Sequence, residues 1–264
     1  MSSRVCSVLS LKGGVGKTSV TLGLASAALA RGLRTLVIDL DPQANSTVVL
    51  DPASVTFTSN DVLADGRSGV MAQAIVPSGW GEGLDLLASE RALEHRAVPE
   101  GAGALRLRVT MQGLDDQGGY DLVLIDTPPA LGELTRNALN ASDLGLVVTE
   151  PSLFALQGAQ QALDAMAVVR DSNLRLHLAG IVVNRVRPTS EHRYRMAELA
   201  LAYGDLLWRP ALPDRAVLQQ AAGACTPVHA WHTQSGREIA QIFDQYLEHV
   251  LATQVQPTPL RPVS

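Results

Sequence analysis

The sequence predicts an α/β chain, a doubly wound and mostly parallel sheet with helices on both faces. Three observations predict it. An apolar, β-branched run, Arg4-Val5-Cys6-Ser7-Val8-Leu9-Ser10-Leu11, is broken by glycines and followed at once by helical apolar spacing at Val20, Leu22, Leu24, Ala27 and Ala28. Further short apolar runs, ending in acids or amides, are separated by helix-length segments along the chain. The composition is 46% hydrophobic but only 4% aromatic, so the core is built from Ala, Val, Leu and Ile. That suits parallel strands covered by helices better than a β-sandwich.

At 264 residues the length fits one large α/β domain or two small ones, and no linker or repeat divides it. We therefore expect one domain over residues 1–253 and a disordered Pro-rich tail over 254–264. The formal charge of −5 and a pI near 5.7 exclude a generally basic nucleic-acid binder, so DNA contact would need a local patch. Cys6 and Cys225 lie far apart without a Cys-x-x-Cys motif, which argues against a disulfide framework or a Cys-ligated metal. The first strand starts within a few residues of Met1, and no apolar run reaches the roughly 18 residues that span a bilayer. A cytoplasmic protein without membrane contact is expected.

The first loop is Lys12-Gly13-Gly14-Val15-Gly16-Lys17-Thr18, with Ser19 following. Strand, glycine loop and helix form the context of a phosphate-binding loop, because glycines let backbone N–H groups point inward and the helix N-terminus adds its positive end. Lys17 would contact the β- and γ-phosphates and the Thr18 hydroxyl would ligate Mg²⁺. The first helix should run over Lys17–Ala30 and close at Arg31-Gly32. A second strand over 34–39 ends in Asp39-Leu40-Asp41-Pro42-Gln43-Ala44-Asn45. Ligands bind beyond the carboxyl ends of strands in such sheets, so these acids land beside the loop, where they also suit helix capping.

Residues 51–82 read as a surface region with a short helix near 70–75, and Trp80 as exposed or a local anchor. A strand follows over 83–88. Residues 90–114 read as two helices interrupted by Pro99-Glu100-Gly101-Ala102-Gly103. The run Leu122-Val123-Leu124-Ile125-Asp126 is a Walker B arrangement, a buried strand delivering a carboxylate beside the metal. Strands over Leu144–Thr149 and 178–184 flank a helix over Ala155–Val169. A strand near 206–212 ends in Pro213-Asp214-Arg215, and a terminal helix spans 235–251.

The common phosphate-loop pattern wants a glycine at position 11, where this chain has Leu11, and it carries Lys12 instead. Lys-Gly-Gly-x-Gly-Lys-Thr, with Asp-x-Asp-Pro-Gln-x-Asn at 39–45 and Asp126-Thr127-Pro128-Pro129, resembles the ParA/MinD class of P-loop ATPases over most of the chain. The resemblance implies an ATP- and Mg²⁺-dependent homodimer. Residues 12–19 (Lys12, Gly13, Gly14, Val15, Gly16, Lys17, Thr18, Ser19) would contact nucleotide, and Lys12 would reach the partner's ATP. By the same resemblance, Lys17 and Asp41 join Lys12 as catalytic groups, with Asp41 positioning the attacking water. Thr18, Asp39 and Asp126 would serve the Mg²⁺ shell. Asn184 would read the adenine with Pro213 and Asp214 beside it, and Thr149-Glu150-Pro151 resembles a position near the dimer interface.

The chain lacks the Cys pairs of iron–sulfur relatives, the basic terminal helix of membrane-bound ones, the tyrosine cluster of the related kinases and room for a domain before the loop. It therefore looks similar to the small Soj-like partition ATPases. That implies nonspecific double-stranded DNA, a ParB-like centromere-binding partner and nucleoid association. Between Arg175 and Arg237 eight arginines face four acids, a local balance of +4, and arginine forks suit phosphates. Relatives often read Pro-Arg-Asn-Val-Arg-Leu where this chain has Pro213-Asp214-Arg215-Ala216-Val217-Leu218. The expected DNA contacts therefore fall on Arg193, Arg195, Arg215 and Arg237. Two alternatives stay open: a same-family ATPase positioning a protein cargo, and a metabolic ligase of the same fold.

Overall fold

In the computed structural model, which describes residues 3–97, 101–114 and 119–255, seven strands share one sheet. They are β1 (Arg4–Leu9), β2 (Thr35–Asp39), β3 (Ile75–Pro77), β4 (Leu84–Leu87), β5 (Leu122–Asp126), β6 (Leu144–Thr149) and β7 (His177–Val183). Their order is β3-β4-β2-β5-β1-β6-β7, and every pairing is parallel except β3 with β4. β2 and β5 are buried at every position, as a central parallel sheet requires. Burial pushes the Cys6 thiol in β1 up to about 12, so it stays protonated as a small hydrophobe.

Side chains alternate between the two faces. Val8, Val37, Leu86, Leu124 and Leu146 pack under α1 (Lys17–Ala30), α8 (Ala216–Gly223) and α9 (Gln234–Ala252). On the other face, Leu36, Ile38, Val123 and Ile125 meet α3 (Ser59–Asp65), α4 (Arg106–Thr110) and α5 (Glu133–Ala141). Further along that face, Val147, Ile181 and Val183 meet α6 (Ala155–Val169) and α7 (Ser190–Tyr203). The short α2 (Asn45–Leu50) follows β2.

Several elements differ from expectation. Residues 51–82 hold α3, begun by a capping box in which Asp61 accepts from the Thr58 N–H at 2.8 Å. The helix expected near 70–75 is a 3₁₀ turn, Val70–Gln73, leading into the antiparallel edge strand β3. Pro77 has no N–H to extend that ladder. Trp80 is a local anchor, half-buried with Nε1 donating to Val49 O at 3.0 Å. Within 90–114 the chain makes 3₁₀ stretches at Arg91–Ala97 and Gly101–Leu105 before α4. Pro99 and Glu100 of the expected interruption lie outside the described residues.

The strand expected near 206–212 does not form. That segment meets β7 through an isolated bridge, Ile181 to Leu207, and through the Trp208 and Leu212 N–H groups donating to Ile181 O and Val183 O, with a second bridge from Val186 to Pro213 just beyond. Pro210 cannot donate to a ladder, and the Trp208 indole lies where a Cβ on Gly180 would sit 2.1 Å from its Nε1. Gln254 and Val255 extend beyond α9, while the rest of the expected tail, 256–264, lies outside the described residues. Among the described residues no helix is long and apolar enough to cross a membrane.

Candidate nucleotide site

β1 is central, so the loop after it opens over the middle of the sheet, where β2, β5 and β1 deliver their carboxyl ends side by side. Gly16 caps α1 at φ +95°, and a Cβ there would lie 2.2 Å from Asn184 Nδ2. Only glycine fits that turn. Lys17 is 6% exposed. Burial lowers its pKa, opposed by the charges of Asp126 and Asp41.

Asp39 and Asp126 pair in register across β2 and β5. Their surroundings differ. Both Asp39 oxygens are taken: Oδ2 accepts from the Thr47 N–H and hydroxyl at 2.9 and 2.8 Å, and Oδ1 from the Asp41 N–H at 3.0 Å. Asp126 Oδ2 accepts from Thr18 Oγ1 and from Ser46 Oγ, each at 2.8 Å. Asp126 Oδ1 is buried with no protein donor. Burial raises the pKa of both acids. The Asp126 charge adds to the rise at Asp39, and the donors Ser46 and Thr18 oppose it at Asp126.

A buried carboxylate oxygen without a donor beside a threonine hydroxyl fits a hard cation. Among the described residues no cluster of three or more His, Cys, Asp or Glu could cage a metal. That also fits Mg²⁺, which in phosphate-transfer sites takes one or two protein groups plus phosphates and waters. Asp39 also organises the turn that carries Asp41. Asp41 is buried, and its Oδ1 accepts from the Gln43 N–H at 2.9 Å while Ser89 Oγ donates to its carbonyl. The expected capping is met in part: Asp39 accepts from the Thr47 N–H within α2, while Asp41 bonds the Gln43 N–H before the helix, whose cap residue is Ala44. Thr127 Oγ1 ties the segment after β5 to Val8 O.

Lys12 stands exposed on the rim, its Nζ 2.5 Å from Glu150 Oε1 at the end of β6. Asn184 is buried, with Nδ2 donating to Val15 O at 2.8 Å and Oδ1 accepting from the Arg185 N–H. It braces the phosphate loop directly. Pro213 makes the bridge to Val186, and Asp214 Oδ2 accepts from Arg187 Nε at 2.6 Å. The site residue that sequence reasoning missed is Ser46. Its signal was a hydroxyl pair, Ser46-Thr47, directly after the Asp41 turn.

Arg193 and Arg195 lie on α7, packed on the side of the sheet opposite α8 and α9, where Arg215 and Arg237 lie. Arg195 is paired with Glu191 and Glu198 at 2.7 and 2.9 Å. Arg193, Arg215 and Arg237 are exposed, with Arg237 Nη1 also donating to His232 O.

A family described as an AAA domain matches residues 3–178. The chromosome partitioning protein ParA of Caulobacter vibrioides is 32% identical over 235 residues, covering 85% of this chain and 86% of that protein. The chain belongs to the ParA/Soj family. Within that family, the sporulation initiation inhibitor protein Soj of Bacillus subtilis is 28% identical over 89% of this chain and 94% of its own length. A solved structure titled cobyrinic acid a,c-diamide synthase, from Mycobacterium smegmatis with bound ADP and magnesium, superposes with a TM-score of 0.77. It is 26% identical, over 97% of this chain and 98% of that one. This ParA-family protein therefore shares its fold with one that holds ADP and magnesium.

Proposed function

We propose that the protein is an ATP-driven partition switch: Mg²⁺·ATP joins two subunits, the dimer binds nonspecific DNA, and partner-stimulated hydrolysis releases it. The observation that carries this is the division of labour between two lysines. Lys17 is buried in the loop beside Asp126, whereas Lys12 stands half-exposed on the rim, paired with Glu150. The orphaned Asp126 Oδ1 supports Mg²⁺, and the Asp41 turn supports a water-positioning carboxylate. Turnover without a partner is slow in this reading, because water positioning rests on Asp41 alone. The partner is a ParB-like centromere-binding protein whose basic N-terminal segment stimulates hydrolysis, and the protein works in the cytoplasm on the nucleoid. DNA contact falls on Arg193, Arg215 and Arg237, because Arg195 is neutralised by its two glutamates.

DNA co-sedimentation with and without ATP tests this. Asp41→Ala should stay on DNA once ATP is bound, and Lys12→Ala should lose nucleotide-dependent binding. DNA binding indifferent to nucleotide in the wild type and both variants would sink the switch. One observation favours a second reading: the solved relative titled as a diamide synthase suggests a metabolic ligase. ATP hydrolysis that rises with a small carboxylic acid, and not with DNA plus partner, would select the ligase.

A further inference from the structure

The short helix α2 grips both strand-end acids with consecutive hydroxyls. Thr47 holds Asp39, and Ser46, fully buried, donates to Asp126 Oδ2. Thr18 and Ser46 converge on the same oxygen, which fixes the carboxylate's rotation and leaves Oδ1 as the oxygen without a donor. A carboxylate held by one hydroxyl can swing about its Cβ–Cγ bond; one held by two from opposite elements, α1 and α2, cannot without breaking one.

α2 also begins immediately after the Asp41 turn and borders a cavity on its other side. A cavity of about 310 Å³ lies between it and α1 and α8, lined in part by Asn45, Val48, Val49, Trp80 and Leu218. Hydrogen bonds on that side include Trp80 Nε1 to Val49 O, Cys225 Sγ to Val48 O and the Gly79 N–H to Leu50 O. Whatever moves Asp126 can therefore pull on α2 through Ser46, and α2 has space to follow.

We infer that Ser46 is a positioning residue, orienting Asp126 for the cation and transmitting cation binding to α2 and the Asp41 turn. The inference rests on the Mg²⁺-nucleotide reading above. Hydrogen-bond partners of metal-side carboxylates tune affinity through orientation, and losing one typically costs about 10- to 100-fold in metal affinity. Ser46 acts through Asp126, not on the nucleotide, so its loss should spare nucleotide binding that needs no cation.

The test is calorimetric titration of the full-length protein with ADP, with and without Mg²⁺, in wild type, Ser46→Ala and Ser46→Cys. In Ser46→Ala, ADP affinity without Mg²⁺ should stay within about twofold of wild type, while the Mg²⁺ concentration for half-saturation rises about tenfold. Ser46→Cys keeps the volume with a weaker donor, so it should fall between, and it carries the test if Ser46→Ala melts below assay temperature. As a readout of α2, Mg²⁺·ADP should change tryptophan emission in wild type. That change should vanish in Trp80→Phe, which assigns it, and shrink in the Ser46 variants. Unchanged Mg²⁺ half-saturation, or an equal loss of Mg²⁺-free ADP binding, would overturn the positioning role. Wild-type protein that binds no ADP under either condition would overturn the nucleotide reading itself, and this inference with it.

Discussion

Lys12 Nζ and Glu150 Oε1 meet at 2.5 Å, joining the rim of the loop after β1 to the end of β6 within one chain. Beside them Leu153 and Phe154, at the start of α6, are 65% and 62% exposed. The lysine that the proposal sends to a second subunit is thus paired with a carboxylate of its own chain, a few residues from two exposed apolar side chains.

Releasing that lysine should favour assembly. Glu150→Gln keeps the shape and removes the charge, so light scattering should find ATP-dependent dimer at lower ATP than in wild type. Lys12→Ala should give none. Neither change should move the stability of the nucleotide-free protein by more than about 1 kcal/mol, because a half-exposed ion pair contributes about 0–1 kcal/mol. A dimer threshold unchanged by Glu150→Gln would show that the pair does not restrain Lys12.

The paired acids make a pH prediction. Asp39 and Asp126 have folded-state pKa values raised above the ordinary carboxylate value, first by burial. The folded protein therefore binds more protons there than the unfolded chain. Their contribution to stability is complete below about pH 4 and is lost as pH rises toward about 7. A cation replaces the proton, so Mg²⁺·ADP should raise the melting temperature more at about pH 8 than at about pH 5.5. Differential scanning fluorimetry at both pH values checks it, and an equal gain would mean the pair ionises normally.

Gly23 gives a stability prediction with opposing terms. A Cβ on Gly23 would lie 2.1 Å from Phe243 Cζ, where α1 crosses α9. Alanine is the better helix former by about 1 kcal/mol, but overpacking a filled core costs about 1–3 kcal/mol. Phe243 is fully buried and has nowhere to go, so the packing loss dominates. Gly23→Ala should lower the urea midpoint by a net cost of up to about 2 kcal/mol. A raised midpoint would mean that α9 shifts freely.

What could be read from the sequence divides along physical lines. The loop, the Asp41 turn and Asp126 were legible because each needs a particular residue type at a fixed spacing after a buried strand. β1, β2, β5 and β6 were legible as aliphatic runs. β3 was not, since three residues ending in proline carry no periodicity, and α3 was announced only by Thr58 and Asp61. The segment 206–212 has a strand's composition, but Trp208 and Pro210 turn its pairing into bridges. Arg195 pairs with glutamates three and four residues away, a contact that a count of charges does not register. Its surroundings, like the role of Ser46, depend on which helix covers which face, and that is a tertiary fact.

The strand order constrains how the chain is made. β1 and β2 leave the ribosome first, yet in the sheet they are neighbours of β5, not of each other. Until residues 122–126 have been synthesised, the two segments that carry Lys17 and Asp39 have no strand between them to pair with. β2 can pair with β4 once residues 84–87 are made, but β1 has no partner strand until β5 follows, a stretch in which aggregation or chaperone capture competes with folding. The nucleotide site cannot form early and guide that process, since insertion of β5 both completes the sheet's centre and supplies Asp126. Nucleotide capture on the ribosome would therefore mark the arrival of the fifth strand.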